Sequence, residues 1–367
     1  MVYLTPMENY LVSARKYRPR HFEEVVGQQH VTNTLNNAIA QNHLAQALLF
    51  TGPRGVGKTT CARILARKIN GGEDSEEDFA FNIFELDAAS NNSVDDIRSL
   101  IDQVRFAPQV GQYKVYIIDE VHMLSQQAFN AFLKTLEEPP KHAIFILATT
   151  EKHKVIPTIL SRCQIYDFKR IGVEDILNHL KAVAEQEGVE AEERGLRVIA
   201  QKADGALRDA LSIFDRMVAF AGQNITYREV IENLRVLDYD YYFETVGKAL
   251  SNDRAGLLNL FDEILANGFD AHLFINGLAA HLRDLLVCKD EATLRLLETD
   301  QATRERYKEQ AQLADAQFLL RNLQNLAEID SRYKGSSNQR LLCELALLQM
   351  AAWAQKAEEK KKPLPVN

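Results

Sequence analysis

The stretch "ALLFTGPRGVGKTTCARILARKIN", residues 47–70, decides the fold. It opens on a short apolar run, passes through GxxxxGK[ST] from Gly52 to Thr59, and continues as a helical pattern. That strand–loop–helix context is what a phosphate-binding loop requires. The spacing has a physical basis. Gly52, Gly55 and Gly57 let the loop Gly52, Pro53, Arg54, Gly55, Val56, Gly57 turn so that its peptide N–H groups face an anion, and the following helix adds its positive end. Lys58 would then reach the β- and γ-phosphates of a nucleotide, the Thr59 hydroxyl can ligate Mg²⁺, and Thr60 follows on the same helix turn. The plain alternative is a glycine turn with an incidental lysine.

Working outward, the runs "ALLF", "FNIFELD", "KVYIID", "AIFILATT" and "CQIYDF" alternate with helical stretches up to about residue 170. This is the pattern of an α/β domain with a mostly parallel sheet. After it the strands stop. "VEDILNHLKAVAEQEGV", "RGLRVIAQKAD" and "ALRDALSIFDRMVAF" read as three amphipathic helices punctuated by Gly188 and Gly205. From about Tyr239 the chain is helical again, and the end, "EEKKKPLPVN", has the polar, proline-bearing texture of a linker. The expected domains are 1–171, α/β; 172–235, a small helical domain; 236–356, all helical; and 357–367, the start of a tail.

In "KVYIIDEVHML" an apolar strand delivers Asp119 to its C-terminal end, where open α/β sheets place their ligands. Asp119 would hold Mg²⁺, and Glu120 would polarise an attacking water; an acidic pair there also suits a helix N-cap. "AIFILATT" ends in Thr149 and Thr150, and a Thr150 hydroxyl there can sense a γ-phosphate or position the water.

Composition limits the partners. The 367 residues are 46% hydrophobic and 26% charged, ordinary for a globular protein that buries a core, and the formal net charge of −8 argues against coating nucleic acid through bulk charge. Any DNA contact must be local. Cys61, Cys163, Cys288 and Cys343 are too widely spaced for a zinc clip or a compact disulfide framework, so a reducing compartment fits. With no signal pattern and no long apolar run to cross a bilayer, the expectation is a cytoplasmic protein with no membrane contact. Five acids in "GGEDSEED", residues 71–78, read as an exposed loop.

In order along the chain, GPRGVGKT, IIDEVH, "NAFLKTLEEPP", "ILATT", "SRC" and "GALRDAL" resemble the AAA+ clamp-loader ATPases. The opening "SARKYRPRHFEEVVGQQHV" and "LDAASNNSVDDIR" narrow this to the gamma/tau family of bacterial DNA polymerase III subunits. The resemblance is dense through residue 221 and looser beyond. It implies an AAA+ P-loop domain, a helical lid and an all-α collar. It also implies an ATP-hydrolysing motor subunit that loads a sliding clamp onto primer-template DNA, in company with delta, delta prime and further gamma/tau copies. Two other readings stay open: a non-hydrolysing subunit of the same assembly, and another AAA+ DNA motor such as a branch-migration helicase.

The resemblance assigns roles residue by residue. Tyr17, Arg18, Pro19, Val25 and Val26 match the segment near the adenine. Arg208 in "GALRDAL" matches an arginine that reaches the γ-phosphate from the lid; a surface arginine paired with Asp204 or Asp209 is the plain alternative. Arg162 of "SRC" matches a finger supplied to ATP held by the neighbouring subunit, a task that suits a fixed charge on a planar fork. Its lack of an acidic neighbour upstream in sequence is consistent with a side chain aimed out of its own subunit; a solvated surface arginine is the alternative. Cys163 has no expected role beyond packing as a small buried group. Ser90, Asn91, Asn92 and Ser93 stand at an expected helix start, where backbone N–H groups would meet a DNA phosphate. Ser93 with Asp96 also reads as a capping box, and Arg98 and Arg105 suit either DNA or salt bridges. Two departures from the family are visible. The interval "GGEDSEEDFAFN" carries no cysteine or histidine where relatives hold a four-cysteine zinc module, so no zinc is expected. The chain also stops at Asn367, short of the family's longer form, so helicase and polymerase contacts of that extension are not expected.

Overall fold

The computed structural model describes residues 11–71, 82–297 and 299–359. Most of the acidic loop and of the interval expected to lack zinc, residues 72–81, lies outside the described residues, as do 360–367. The chain divides into two compact units between Val230 and Ile231.

The first unit is built on five strands: β1, Ala47–Thr51; β2, Ile83–Asp87; β3, Lys114–Asp119; β4, Ala143–Thr149; and β5, Gln164–Asp167. They pair in the order β2-β3-β4-β1-β5, every pairing parallel. The expected α/β fold is present. β1 and β4 are buried at every residue, which is why they read as continuous apolar runs rather than alternating ones. Their side chains go alternately to two cores. Leu48, Phe50, Ile146 and Ala148 meet Val31 and Leu35 of the helix Gln29–Ala40 and Ile64 and Leu65 of the helix Lys58–Gly71. Leu49, Phe145 and Leu147 meet Ile97 of the helix Val94–Val104 and Phe129 and Phe132 of the helix Gln126–Glu137.

Strand order brings the chemistry together. The chain leaves β1 in the interior of the sheet and crosses β4 and β3 to reach β2, so the loop after β1 opens where neighbouring connections diverge. Because β4 lies between β1 and β3, the ends Thr51, Thr149 and Asp119 are adjacent. The fully buried Gln28 ties the N-terminal segment to this rim. Its Nε2 donates to the Lys169 carbonyl at 2.7 Å, and its Oε1 accepts from the Lys169 amide at 3.2 Å.

The three expected helices follow as Val173–Glu187, Glu193–Lys202 and Leu207–Ala221. Gly188 ends the first in the left-handed conformation (φ 66°), the usual use of glycine at a helix C-terminus. One correction concerns the strands, which do not stop after residue 170. Glu190–Ala191 and Asn224–Ile225 form a two-residue parallel pair, too short to show a period in sequence.

The second unit is helical: Tyr239–Leu250, Arg254–Ala266, Ala271–Val287, Gln301–Leu313, Ala316–Tyr333 and Gln339–Glu359, with a 3-10 turn at Glu291–Leu296. Its acidic residues have a structural use. Asp238, Asp253, Asp270, Asp300 and Asp315 each cap a helix start, the carboxylate accepting from a first-turn amide. Each such cap is worth about 1 kcal/mol. The last helix continues to Glu359, into the polar stretch read as tail, because Glu, Lys and Ala are good helix formers.

Candidate active site

A cleft of about 480 Å³ opens at the C-terminal rim of the sheet. Its wall includes Arg54 through Thr60 of the glycine loop, Asp119 and Glu120, Tyr17, Arg18, Pro19, Val25 and Val26, and Arg208. Residues nominated from four separate parts of the sequence therefore share one cavity. Gly52, Pro53, Thr150 and Arg162 are not on that wall. The first two carry the loop's backbone, Thr150 acts on Glu120 from behind, and Arg162 lies elsewhere on the surface.

The glycines are required where they stand. Gly52 has φ 140°, and a Cβ there would lie 2.3 Å from the Phe168 carbonyl oxygen. At Gly55 (φ 76°) a Cβ would meet Ala206 at 3.0 Å and the Arg208 Cβ at 3.4 Å. The Arg208 amide donates to the Gly55 carbonyl at 3.3 Å, so the last of the three helices starts directly on the loop.

Lys58 is 6% exposed and donates to the carbonyls of Gly52 (2.8 Å) and Pro53 (2.7 Å). Burial pushes its pKa down, while the charges of Glu120 and Asp119 oppose that shift. An ammonium held among carbonyls and facing two carboxylates is a cation short of water, suited to an anionic guest. Thr59 Oγ1 donates to Asp119 Oδ2 at 2.7 Å, which brings helix start and strand end to one point. These are hard oxygen donors, the set that suits Mg²⁺, and Cys61, the nearest thiol in sequence, is fully buried beneath them. The residues present fit that ion.

Glu120 follows the strand in the left-handed conformation (φ 48°), a position that costs a non-glycine residue about 1–2 kcal/mol. The turn swings its carboxylate toward β4. There Oε2 accepts from the Thr150 amide at 3.2 Å and the Thr150 hydroxyl at 2.9 Å. His122 stands beside it, Nδ1 3.3 Å from the same Oε2. Sequence reading passed over His122 because a lone histidine after an acidic pair carries no spacing signal. It also passed over Leu207 and Leu211, which line the cleft from the first turns of their helix.

Tyr17 is fixed from the side of the three helices: its hydroxyl donates to Glu187 Oε1 at 2.8 Å, as does Lys16 Nζ. Those two donors hold the Glu187 carboxyl below the usual range, hydrogen bonding outweighing desolvation. Arg208 is exposed and makes no side-chain hydrogen bond or ion pair among the described residues, with Asp209 or with Asp204, the latter pairing with Arg170 instead.

Arg162 corrects one expectation. It has an acidic partner after all, Glu137 Oε1 at 2.6 Å from Nη2, supplied by the end of the helix Gln126–Glu137, while Nη1 donates to the Thr158 carbonyl at 2.7 Å. The partner is 25 residues away in sequence and close only in the fold. Cys163 is half-buried, and burial pushes its thiol up to about 11. At the other helix start, Ser93 and Asp96 form the expected capping box, and Arg98 and Arg105 pair with Asp95 (3.4 Å) and Asp102 (3.9 Å) on their own helix.

Three family models match successive parts of the chain. They are described as DNA polymerase III delta subunit (residues 27–172), DNA polymerase III clamp loader subunit ATPase lid domain (175–223), and DNA polymerase III subunits gamma and tau domain III (225–363). DNA polymerase III subunit gamma of Buchnera aphidicola is 36% identical over 76% of this chain and 78% of that protein. The chain belongs to the DNA polymerase III gamma/tau family. Subunit tau of Bacillus subtilis is 38% identical over 93% of this chain, which spans 63% of that relative's length. Among solved structures, the RuvB branch-migration motor of Thermotoga maritima superposes with a TM-score of 0.49 and 22% identity over 63% of this chain and 78% of that one. The fold is that of an AAA+ P-loop protein with lid and helical C-terminal domain. No described helix is long and apolar enough to cross a membrane.

Proposed function

We propose that the chain is an ATP-hydrolysing motor subunit of a bacterial clamp loader. One observation supports this most: the glycine loop, the acidic strand end, the N-terminal Tyr17–Val26 segment and Arg208 line a single cleft. Loop amides and Lys58 take the phosphates of ATP, and Tyr17, Pro19, Val25 and Val26 take the base. Thr59 and Asp119 are the residues that would hold Mg²⁺, which when bound neutralises charge on the β- and γ-phosphate oxygens. Glu120 takes the proton of the attacking water, with Thr150 setting its direction. Arg208 contacts the γ-phosphate from the lid, whose position on Gly55 makes it responsive to what the loop holds.

Arg162, outside this cleft, serves the nucleotide of a neighbouring subunit. On this reading the domains are an ATPase domain to residue 171, a lid at 172–235 and an oligomerising collar at 236–356. The partners are delta, delta prime, further gamma/tau copies, the sliding clamp and primer-template DNA, in the cytoplasm. Ser90 to Ser93 are the DNA-facing candidates. The test is direct: Lys58→Ala loses ATP binding or turnover while the circular dichroism spectrum is unchanged. A variant that hydrolyses ATP at the wild-type rate overturns the proposal.

A further inference from the structure

Behind Glu120 lies a small closed ring of hydrogen bonds to which the family resemblance assigns no role. The His122 side chain is 6% exposed, unusual for a polar group on a strand-end turn. Its Nε2 is 3.0 Å from Glu151 Oε2, and since a carboxylate only accepts, that nitrogen carries the proton. Its Nδ1 is 3.0 Å from Thr149 Oγ1. The Thr149 hydroxyl accepts from the Glu151 amide at 3.0 Å, leaving its own proton for Nδ1. Glu151, Thr149 and His122 thus form one cycle in which each polar group is used once. Lys154 Nζ, 2.8 Å away, anchors the Glu151 carboxylate from outside.

The cycle fixes the plane of the imidazole, and the imidazole edge is what Glu120 meets. Oε2 of Glu120 is 3.3 Å from Nδ1 on one side, where two acceptors face each other without a hydrogen bond so that the ring edge acts as a stop, and it takes the two Thr150 donors on the other. A flexible carboxylate on a strained left-handed residue is thereby confined from both directions.

We propose that His122 is a positioning residue for the Glu120 carboxylate, and that Glu151 fixes the His122 ring for that task. The proposal rests on the hydrolytic reading of Glu120. It explains why a histidine with a buried side chain stands three residues after Asp119, behind Glu120 and not itself on the cleft wall. Because Glu151 opens the segment that leads to Arg162, a shift of that segment would move the backstop of Glu120 in the same subunit.

The test uses the full chain, assembled with its loader subunits and primer-template DNA, and measures ATP turnover together with affinity for a fluorescent ATP analogue. His122→Ala is expected to lower kcat by up to about 100-fold, the scale of a misplaced catalytic group, with nucleotide affinity near wild type. His122→Asn, whose amide replaces the Nδ1 position, recovers several-fold of that loss. Glu151→Ala lowers kcat as well, and adding it to His122→Ala costs nothing more, since both break one chain. Glu120→Gln separates the failures. If it hydrolyses ATP normally, the reading of Glu120 fails. If it is dead while His122→Ala turns over like wild type, the positioning role alone is overturned. Loss of affinity and kcat together, with Asn no better than Ala, marks a purely structural histidine and overturns the proposal too.

Discussion

The Glu120 carboxylate is held by Thr150, whose amide and hydroxyl both donate to Oε2, at 3.2 and 2.9 Å. Only the hydroxyl can be removed by mutation. Thr150→Val keeps the shape and the amide bond but releases one of two restraints on a charged acceptor, an interaction worth about 1.5–3 kcal/mol. Expressed in the barrier, even the lower figure is about tenfold in kcat. Steady-state ATPase assays should show that loss in Thr150→Val, nucleotide affinity within twofold, and near-normal turnover in Thr150→Ser.

The glycine loop makes a stability prediction that separates two glycines of one motif. At Gly52 a Cβ would lie 2.3 Å from the backbone oxygen of Phe168, and backbone cannot step aside. At Gly57 the nearest atom is Val25 Cγ1 at 3.9 Å, so the cost is only the left-handed conformation. Gly52→Ala should destabilise by about 2–3 kcal/mol and Gly57→Ala by about 1 kcal/mol. Urea denaturation of the two variants checks the order; equal losses would contradict it.

What was legible in sequence follows from how local each signal is. The strands were readable because β1, β3 and β4 are buried on both faces and so appear as unbroken apolar runs. The glycine loop, Asp119 and the Ser93 cap were readable because each is a spacing fixed by backbone geometry. Partners brought together by folding were not. Nothing near "SRC" announces Glu137, and nothing near "DEVH" announces Glu151 or Thr149, because strand pairing and helix packing, not sequence distance, set those contacts. Arg208 is the reverse case: its sequence neighbour Asp204 suggested a pair, but Gly205 (φ 80°) turns the chain between them and Asp204 pairs with Arg170.

Asp167 carries a pH prediction. The Thr51 hydroxyl, donating to its carboxylate, is the main reason its pKa lies below the ordinary 3.8, with Lys152 adding to the effect and partial burial opposing it. A depressed carboxyl contributes stability that is present above the unfolded value and lost as pH falls through the folded one. Removing the donor with Thr51→Val should therefore cost stability at pH 7, about 0.5–1 kcal/mol given solvent screening of the exposed carboxylate. The gap between variant and wild type should narrow as pH falls from 3.8 through the lower folded value, below which Asp167 is protonated in both. Chemical denaturation at neutral and acid pH measures it, and a gap independent of pH would remove Asp167 from the account.

Arg162 is the residue for which magnitudes discriminate best between a structural and a chemical role. Its pair with Glu137 is half-exposed, the arginine 32% and the glutamate 49%, and such pairs contribute about 0–1 kcal/mol. Arg162→Ala should thus leave the denaturation midpoint nearly unchanged. A finger acting on a neighbour's ATP is worth about 10³–10⁵ in rate, so DNA-stimulated turnover should collapse in the assembled loader while nucleotide binding is spared. Mixing supplies the decisive arm. Assemblies made from Lys58→Ala and Arg162→Ala chains together contain some interfaces with an intact loop on one side and an intact arginine on the other. Those interfaces should restore turnover above either variant alone. If no mixture does so although assembly is verified, the assignment of Arg162 to a neighbouring subunit's ATP is overturned.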